Sequence, residues 1–127
     1  MNKLSRSDAW NLLTEYTQTE ALQHHALAVE AVMAHFGRLN GEDEEIWGVA
    51  GLLHDLDYEK FPEQHCQKSE EIMRERGLDE LYIRAMNCHG WGLCTDVEPQ
   101  SKLEKTLYTV DELCGLINAT CLMRPSK

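Results

Sequence analysis

The sequence predicts an all-α protein, and three observations predict it. Apolar residues recur at helical spacing in several segments, capping patterns stand just ahead of those segments, and sustained two-residue alternation is absent. With 127 residues, no internal repeat and no linker, one domain of five or six helices is expected.

Taken in order, Thr17 and Glu20 have the spacing of a capping box ahead of a long helix over 20–37, which Gly37 would end. Within it Leu22, Val29, Val32 and Phe36 share a face. Asn40 can cap the next helix, in which Ile46, Val49, Ala50 and Leu53 recur. Pro62 suits the first position of a helix that closes with Arg74, Arg76 and Gly77, cations and then glycine, as a helix C-terminus prefers. A short helix over 79–89 stops at Gly90, and the Gly- and Pro-containing stretch 90–100 is a loop. Ser101 and Glu104 form a second capping box, opening a last helix striped by Leu103, Val110 and Ile117.

Composition narrows the function classes. The formal net charge of −10 argues against a nucleic-acid polymer as partner, because a polyphosphate needs a basic surface. A small phosphorylated ligand remains compatible, since a bound cation reverses the field locally. Apolar runs reach only about five residues, against the roughly 20 of a membrane helix, so no membrane partner is expected. The opening MNKLSRSDAW lacks the apolar centre of a signal peptide. Cys66, Cys88, Cys94, Cys114 and Cys121 are an odd set without Cys-x-x-Cys, which reads as reduced thiols in a cytoplasmic protein.

Several polar residues interrupt apolar faces. His25 lies three residues after Leu22 and four before Val29. His54 has Ala50 at i−4 and Ile46 two turns back, and His89 follows Ala85 and Tyr82. Asp111 has Leu107 at i−4 and Cys114 at i+3, with no Lys or Arg a turn away on its own face. Singly, each histidine fits a core imidazole bonded to backbone. An unpaired buried carboxylate is costly, however. One explanation covers the group: His25, His54, Asp55 and Asp111 meet around a metal ion in a pocket between helices. Neighbours about 100° apart on a helix, His54 and Asp55 can both reach one ion at its end.

In this order and on helices, His25, His54-Asp55 and Asp111 resemble the HD-domain metal-dependent phosphohydrolase superfamily. The segments "HHALAVEAVM", "GLLHDLDYEKFPEQH" and "LYTVDELCGLINATCLMRPSK" are similar to a subgroup of small bacterial HD proteins, over roughly residues 20–127. The resemblance implies an HD-type helical bundle spanning 1–127, with its core at 20–120. In the family the segment like "CLMRPSK" is usually followed by further helix, which leaves a missing C-terminal segment open. It also implies one or two divalent ions (manganese, iron, zinc, cobalt or nickel), with His25, His54, Asp55 and Asp111 as ligands. Two-metal members place histidines where His65 and His89 stand, and Asp55 would then bridge both ions; their usual paired late histidines differ from His89-Gly90.

The function expected is hydrolysis of a small phosphate ester or anhydride, nucleotide-like, by metal-activated water. Asp55 is central to that chemistry, and Asp57 and Glu59 are candidate proton-handling residues, with loop solvation or capping as the alternative. Lys60 is a candidate phosphate contact and Trp91 a candidate flank for a base, against surface and packing roles. The rival class is a non-catalytic metal or nucleotide sensor with the same fold.

Overall fold

Described over residues 3–123 in a computed structural model, the chain forms six α-helices. They are α1 (Arg6–Tyr16), α2 (Glu20–Leu39), α3 (Glu44–Leu52), α4 (Gln67–Glu75), α5 (Glu80–His89) and α6 (Lys102–Met123). A single 3-10 turn, Pro62–Gln64, precedes α4, and no strand occurs among the described residues. The side chains of Pro62, Cys114, Ile117 and Cys121, and the segment 124–127, lie outside the described residues.

The helix pair α2 and α3 forms the centre, and α6 packs on α2 and on α5. Close approach of α2 and α3 depends on glycine. A Cβ at Gly51 would stand 2.9 Å from Met33 Cγ and 3.0 Å from the Val29 carbonyl oxygen. At Gly37 it would stand 2.8 Å from Trp47 Cγ, so Gly37 receives a ring and does not end its helix, which continues to Leu39. Val29, Met33, Leu52, Leu53, Met86 and Leu107 are fully buried where these helices meet. The all-α expectation holds, with α1 as the sixth helix. Its Arg6 pairs with Glu30 on α2 through two hydrogen bonds of 2.8 and 2.9 Å.

Two of the expected caps differ. Thr17 ends α1, its N–H donating to the Leu13 carbonyl, and its hydroxyl is buried without a partner. The chain entering α2 is held instead by Glu59, whose Oε1 accepts from the Gln18 and Thr19 N–H groups at 2.9 and 2.7 Å. Asn40 ends α2 by donating to the Phe36 carbonyl, and Asp43 caps α3 by accepting from Glu45 and Ile46. The Ser101–Glu104 box forms reciprocally, with Glu104 N–H on Ser101 Oγ and Ser101 N–H on Glu104 Oε1. Between Pro62 and Arg76 the expected single helix is broken. Cys66 adopts φ +76°, a left-handed conformation rare for a residue with a side chain, and α4 starts after it.

The tight α2–α3 contact predicts that Gly51→Ala is destabilising. Overpacking of this kind costs about 1–3 kcal/mol, a fall in Tm of roughly 5–10 °C at this chain length. Gly48→Ala is the control, since a Cβ there meets its nearest neighbour at an ordinary 3.4 Å. Thermal unfolding in which the two variants behave alike would contradict the close approach at Gly51.

Candidate metal centre

The segment after α3 begins the site. The helix stops at Leu52, so His54 and Asp55 lie in the turns that follow, not on the helix as the sequence suggested. The Gly51 carbonyl explains the stop. It accepts the His54 ring Nδ1–H at 2.6 Å, occupying the acceptor that another helical turn would offer to Asp55. His89, the last residue of α5, does the same on its own element: its Nδ1–H donates to the Met86 carbonyl. His65, just beyond the 3-10 turn, donates Nδ1–H to Asp57 Oδ1 at 2.6 Å. With Nδ1 engaged in each ring, the Nε2 atoms are left facing inward.

They face Asp55. Its Oδ2 lies 3.3 Å from His54 Nε2 and 3.5 Å from His25 Nε2. Its Oδ1 lies 3.3 Å from His65 Nε2 and 3.2 Å from His89 Nε2. Asp111, from α6, adds Oδ1 at 2.8 Å from His54 Nε2 and 3.5 Å from His25 Nε2. One ligand atom each from His25, His54, Asp55 and Asp111 lies within 4.8 Å of every other.

Three features fit a divalent cation. Ligand atoms each about 2.1 Å from a shared ion lie roughly 3–3.5 Å apart, the range of these separations. Nε2 atoms meet in pairs, His25 with His54 at 3.3 Å and His65 with His89 at 3.2 Å. Two bare lone pairs facing each other repel, so each pair needs a proton or a metal between or beside it. The third feature is charge. Burial opposes charging His54, but Asp55 and Asp111 outweigh it and raise its pKa well above 6.5. Burial likewise opposes charging His65, and hydrogen bonds to Asp55 and Asp57 raise its pKa to about 10. Burial opposes charge on Asp55 and Asp111 as well, yet the surrounding histidines hold both below the usual carboxylate range. Without metal, protons on imidazole balance the carboxylates; a cation can take their place.

The other candidates have different surroundings. Asp57 is fully buried, with its carboxylate on His65 Nδ1 and on the Ser69 N–H at 2.9 Å. Asp57 thus bonds an imidazole and the first turn of α4. The carboxylate of Glu59 takes the capping alternative, accepting from the Gln18 and Thr19 N–H groups at the entry to α2. Lys60 lines a shallow cleft with Phe61, Glu63 and Gln64, none of them among the converging residues. Trp91 lies against Tyr108, ring centres 5.8 Å apart, in a cleft with Pro99 and Lys105.

Three neighbours escaped the sequence reading. Tyr58 sets its ring edge-on to His65, Ser69 anchors Asp57, and the buried Cys66 has its thiol near His65 and His89. Burial first, then Cys94 and the nearby aspartates, push the Cys66 thiol pKa up, so without a metal Cys66 is a neutral thiol in the wall beside His65 and His89. No motif flags these residues.

The raised histidine pKa values carry a sign. Their stabilisation of the metal-free protein is complete below about 6.5 and is lost as pH rises toward about 10. Metal ligation needs bare Nε2 atoms, so affinity should rise over the same window and binding should release protons. Calorimetric titration with manganese in buffers of different ionisation enthalpy reads that release, and thermal unfolding reads the opposite trend in metal-free Tm. A pH-independent affinity with no proton release would contradict the protonated site.

Comparison with family models matches the HD domain over residues 22–115. Comparison with curated proteins and with solved structures found no match. The matched span runs from the second helix through Asp111 and contains every residue that converges on Asp55, in a family whose domains bind divalent metals. The chain belongs to the HD-domain metal-dependent phosphohydrolase superfamily.

Proposed function

We propose that this protein is a metal-dependent phosphohydrolase acting on a small phosphate ester or anhydride of nucleotide-like character. The observation that supports it most is the division of Asp55, with one carboxylate oxygen at each pair of imidazoles. On this reading His25, His54, Asp111 and Asp55 Oδ2 would hold one ion, and His65, His89 and Asp55 Oδ1 a second. Divalent ions there supply positive charge that polarises a phosphoryl oxygen and eases proton loss from water.

The chain's own contribution is arrangement. The Nδ1 protons of His54, His65 and His89 are fixed on Gly51, Asp57 and Met86, so the inward Nε2 atoms need no reorientation when a ligand arrives. The site is also open on one side. The side chains of His25, Asp55 and Asp111 keep 18%, 24% and 25% exposure, which leaves room for water and a phosphoryl group, unlike a closed structural site.

The net charge of −10 favours a small substrate over a nucleic-acid polymer. The Trp91–Tyr108 cleft, of about 250 Å3, begins one helical turn before Asp111 on α6 and supports a flat ring as part of that substrate. Lys60 is proposed as a phosphate contact on its positive charge alone. No helix among the described residues is long and apolar enough to cross a membrane. Among the described side chains Cys66, Cys88 and Cys94 are free thiols, which supports a reducing, cytoplasmic setting.

Asp55→Ala is expected to lower turnover of the metal-loaded protein by more than about 100-fold, together with metal content, while the helical circular dichroism stays intact. The test is a panel of nucleotides and sugar phosphates with manganese, iron, zinc, cobalt or nickel added back. A loaded wild type inert across the panel would assign the chain to metal or nucleotide sensing instead. Activity surviving Asp55→Ala would put the chemistry elsewhere.

A further inference from the structure

We infer that Asp57 is a positioning residue for the second ion: its carboxylate holds the Nδ1–H of His65 and so aims His65 Nε2 at Asp55 and His89 as the ring atom left for the ion. The inference rests on the two-ion reading above. Four imidazoles point Nε2 at Asp55, and in three of them Nδ1 is held by a named partner, twice by backbone. His54 and His89 each donate Nδ1–H to the carbonyl three residues earlier, at a helix end where that carbonyl is within reach. His65 has no such partner. Its backbone is extended, with φ −57° and ψ 137°, between the 3-10 turn and the left-handed Cys66. A side chain has to supply the acceptor, and Asp57 Oδ1 does so at 2.6 Å.

Asp57 is itself fixed from two sides. Its N–H donates to Ser69 Oγ at 3.1 Å, and its Oδ2 accepts the Ser69 N–H at 2.9 Å. Ser69 is the third residue of α4, whose N-cap Cys66 offers no capping side chain. The same carboxylate therefore caps α4 and orients His65. A carboxylate acceptor also makes an imidazole a stronger donor through its other nitrogen than a carbonyl does, so His65 is the ring whose ligation depends most on its support. Asp57 shows no exposure to solvent, which keeps it out of reach of a substrate and separates its role from that of Asp55.

Capping alone and positioning predict different behaviour for Asp57→Asn. An asparagine oxygen can still accept the Ser69 N–H, so the cap survives. Its Nδ2 would then face His65 Nδ1 as a donor, which favours the tautomer protonated at Nε2 and blocks ligation. Calorimetric titration of metal-free protein with manganese is the experiment. The expected result is unchanged affinity for the tighter ion and a fall of about 10–100-fold for the weaker one, with the helical circular dichroism of wild type. Two ions bound as in wild type would overturn the role of Asp57 and leave the two-ion reading standing. A wild type that takes up a single ion without His65 would overturn both. Should Asp57→Asn fail to fold, nuclear magnetic resonance of zinc-loaded wild type with isotope-labelled histidine decides. A His65 ring protonated at Nδ1 and metal-shifted at Nε2 is expected, and a ring protonated at Nε2 would overturn the inference.

Discussion

The Asp55 carboxylate is held between two pairs of imidazoles, and the helices are arranged so that this can happen. Putting an unpaired carboxylate where Asp55 sits would cost several kcal/mol. Four histidines from α2, the α3 exit, the α4 approach and α5 surround it, and Asp111 arrives from α6. Nearly every helix therefore delivers one group to the same point. The His54 ring bond to the Gly51 carbonyl marks where the chain turns after α3, and the left-handed Cys66 marks where it breaks before α4.

Apolar packing makes that delivery accurate. Gly51 brings α3 against Val29 and Met33 of α2, which sets His25 and His54 within 3.3 Å of each other. The same residue lends its carbonyl to the His54 ring. One glycine thus couples a close α2–α3 contact to the orientation of an imidazole that faces Asp55. At the other end Gly90 lies between the Cys66 and Cys94 sulfurs, where a Cβ would stand 2.9 and 3.0 Å from them. Cys66 approaches closely there, beside His65 and His89.

Much of this was legible in the sequence, and what was not has distant causes in some places and local ones in others. The helices were legible because periodicity and caps are local, as at Ser101 and Glu104. The site was legible as an anomaly, since His25, His54 and Asp111 are polar residues on apolar faces. Two features that the sequence left open depend on partners distant in sequence. Glu59 holds the entry to α2 from about 40 residues away, which displaces the local cap expected at Thr17. Asp57 looked like a loop acid beside reactive groups, and only the fold reveals that Ser69 and His65 enclose it. Asn40 and Asp43 stand three residues apart, and a capping residue next to a helix start reads the same at the end of the helix before it.

The central claim is that Asp55 joins two ion positions into one site. Anomalous X-ray diffraction from crystals of the manganese-loaded protein tests it most directly. The account predicts two anomalous peaks on either side of the Asp55 carboxylate, one among His25, His54 and Asp111 and the other among His65 and His89. A peak bound away from Asp55, or manganese held without either of its oxygens, would contradict it.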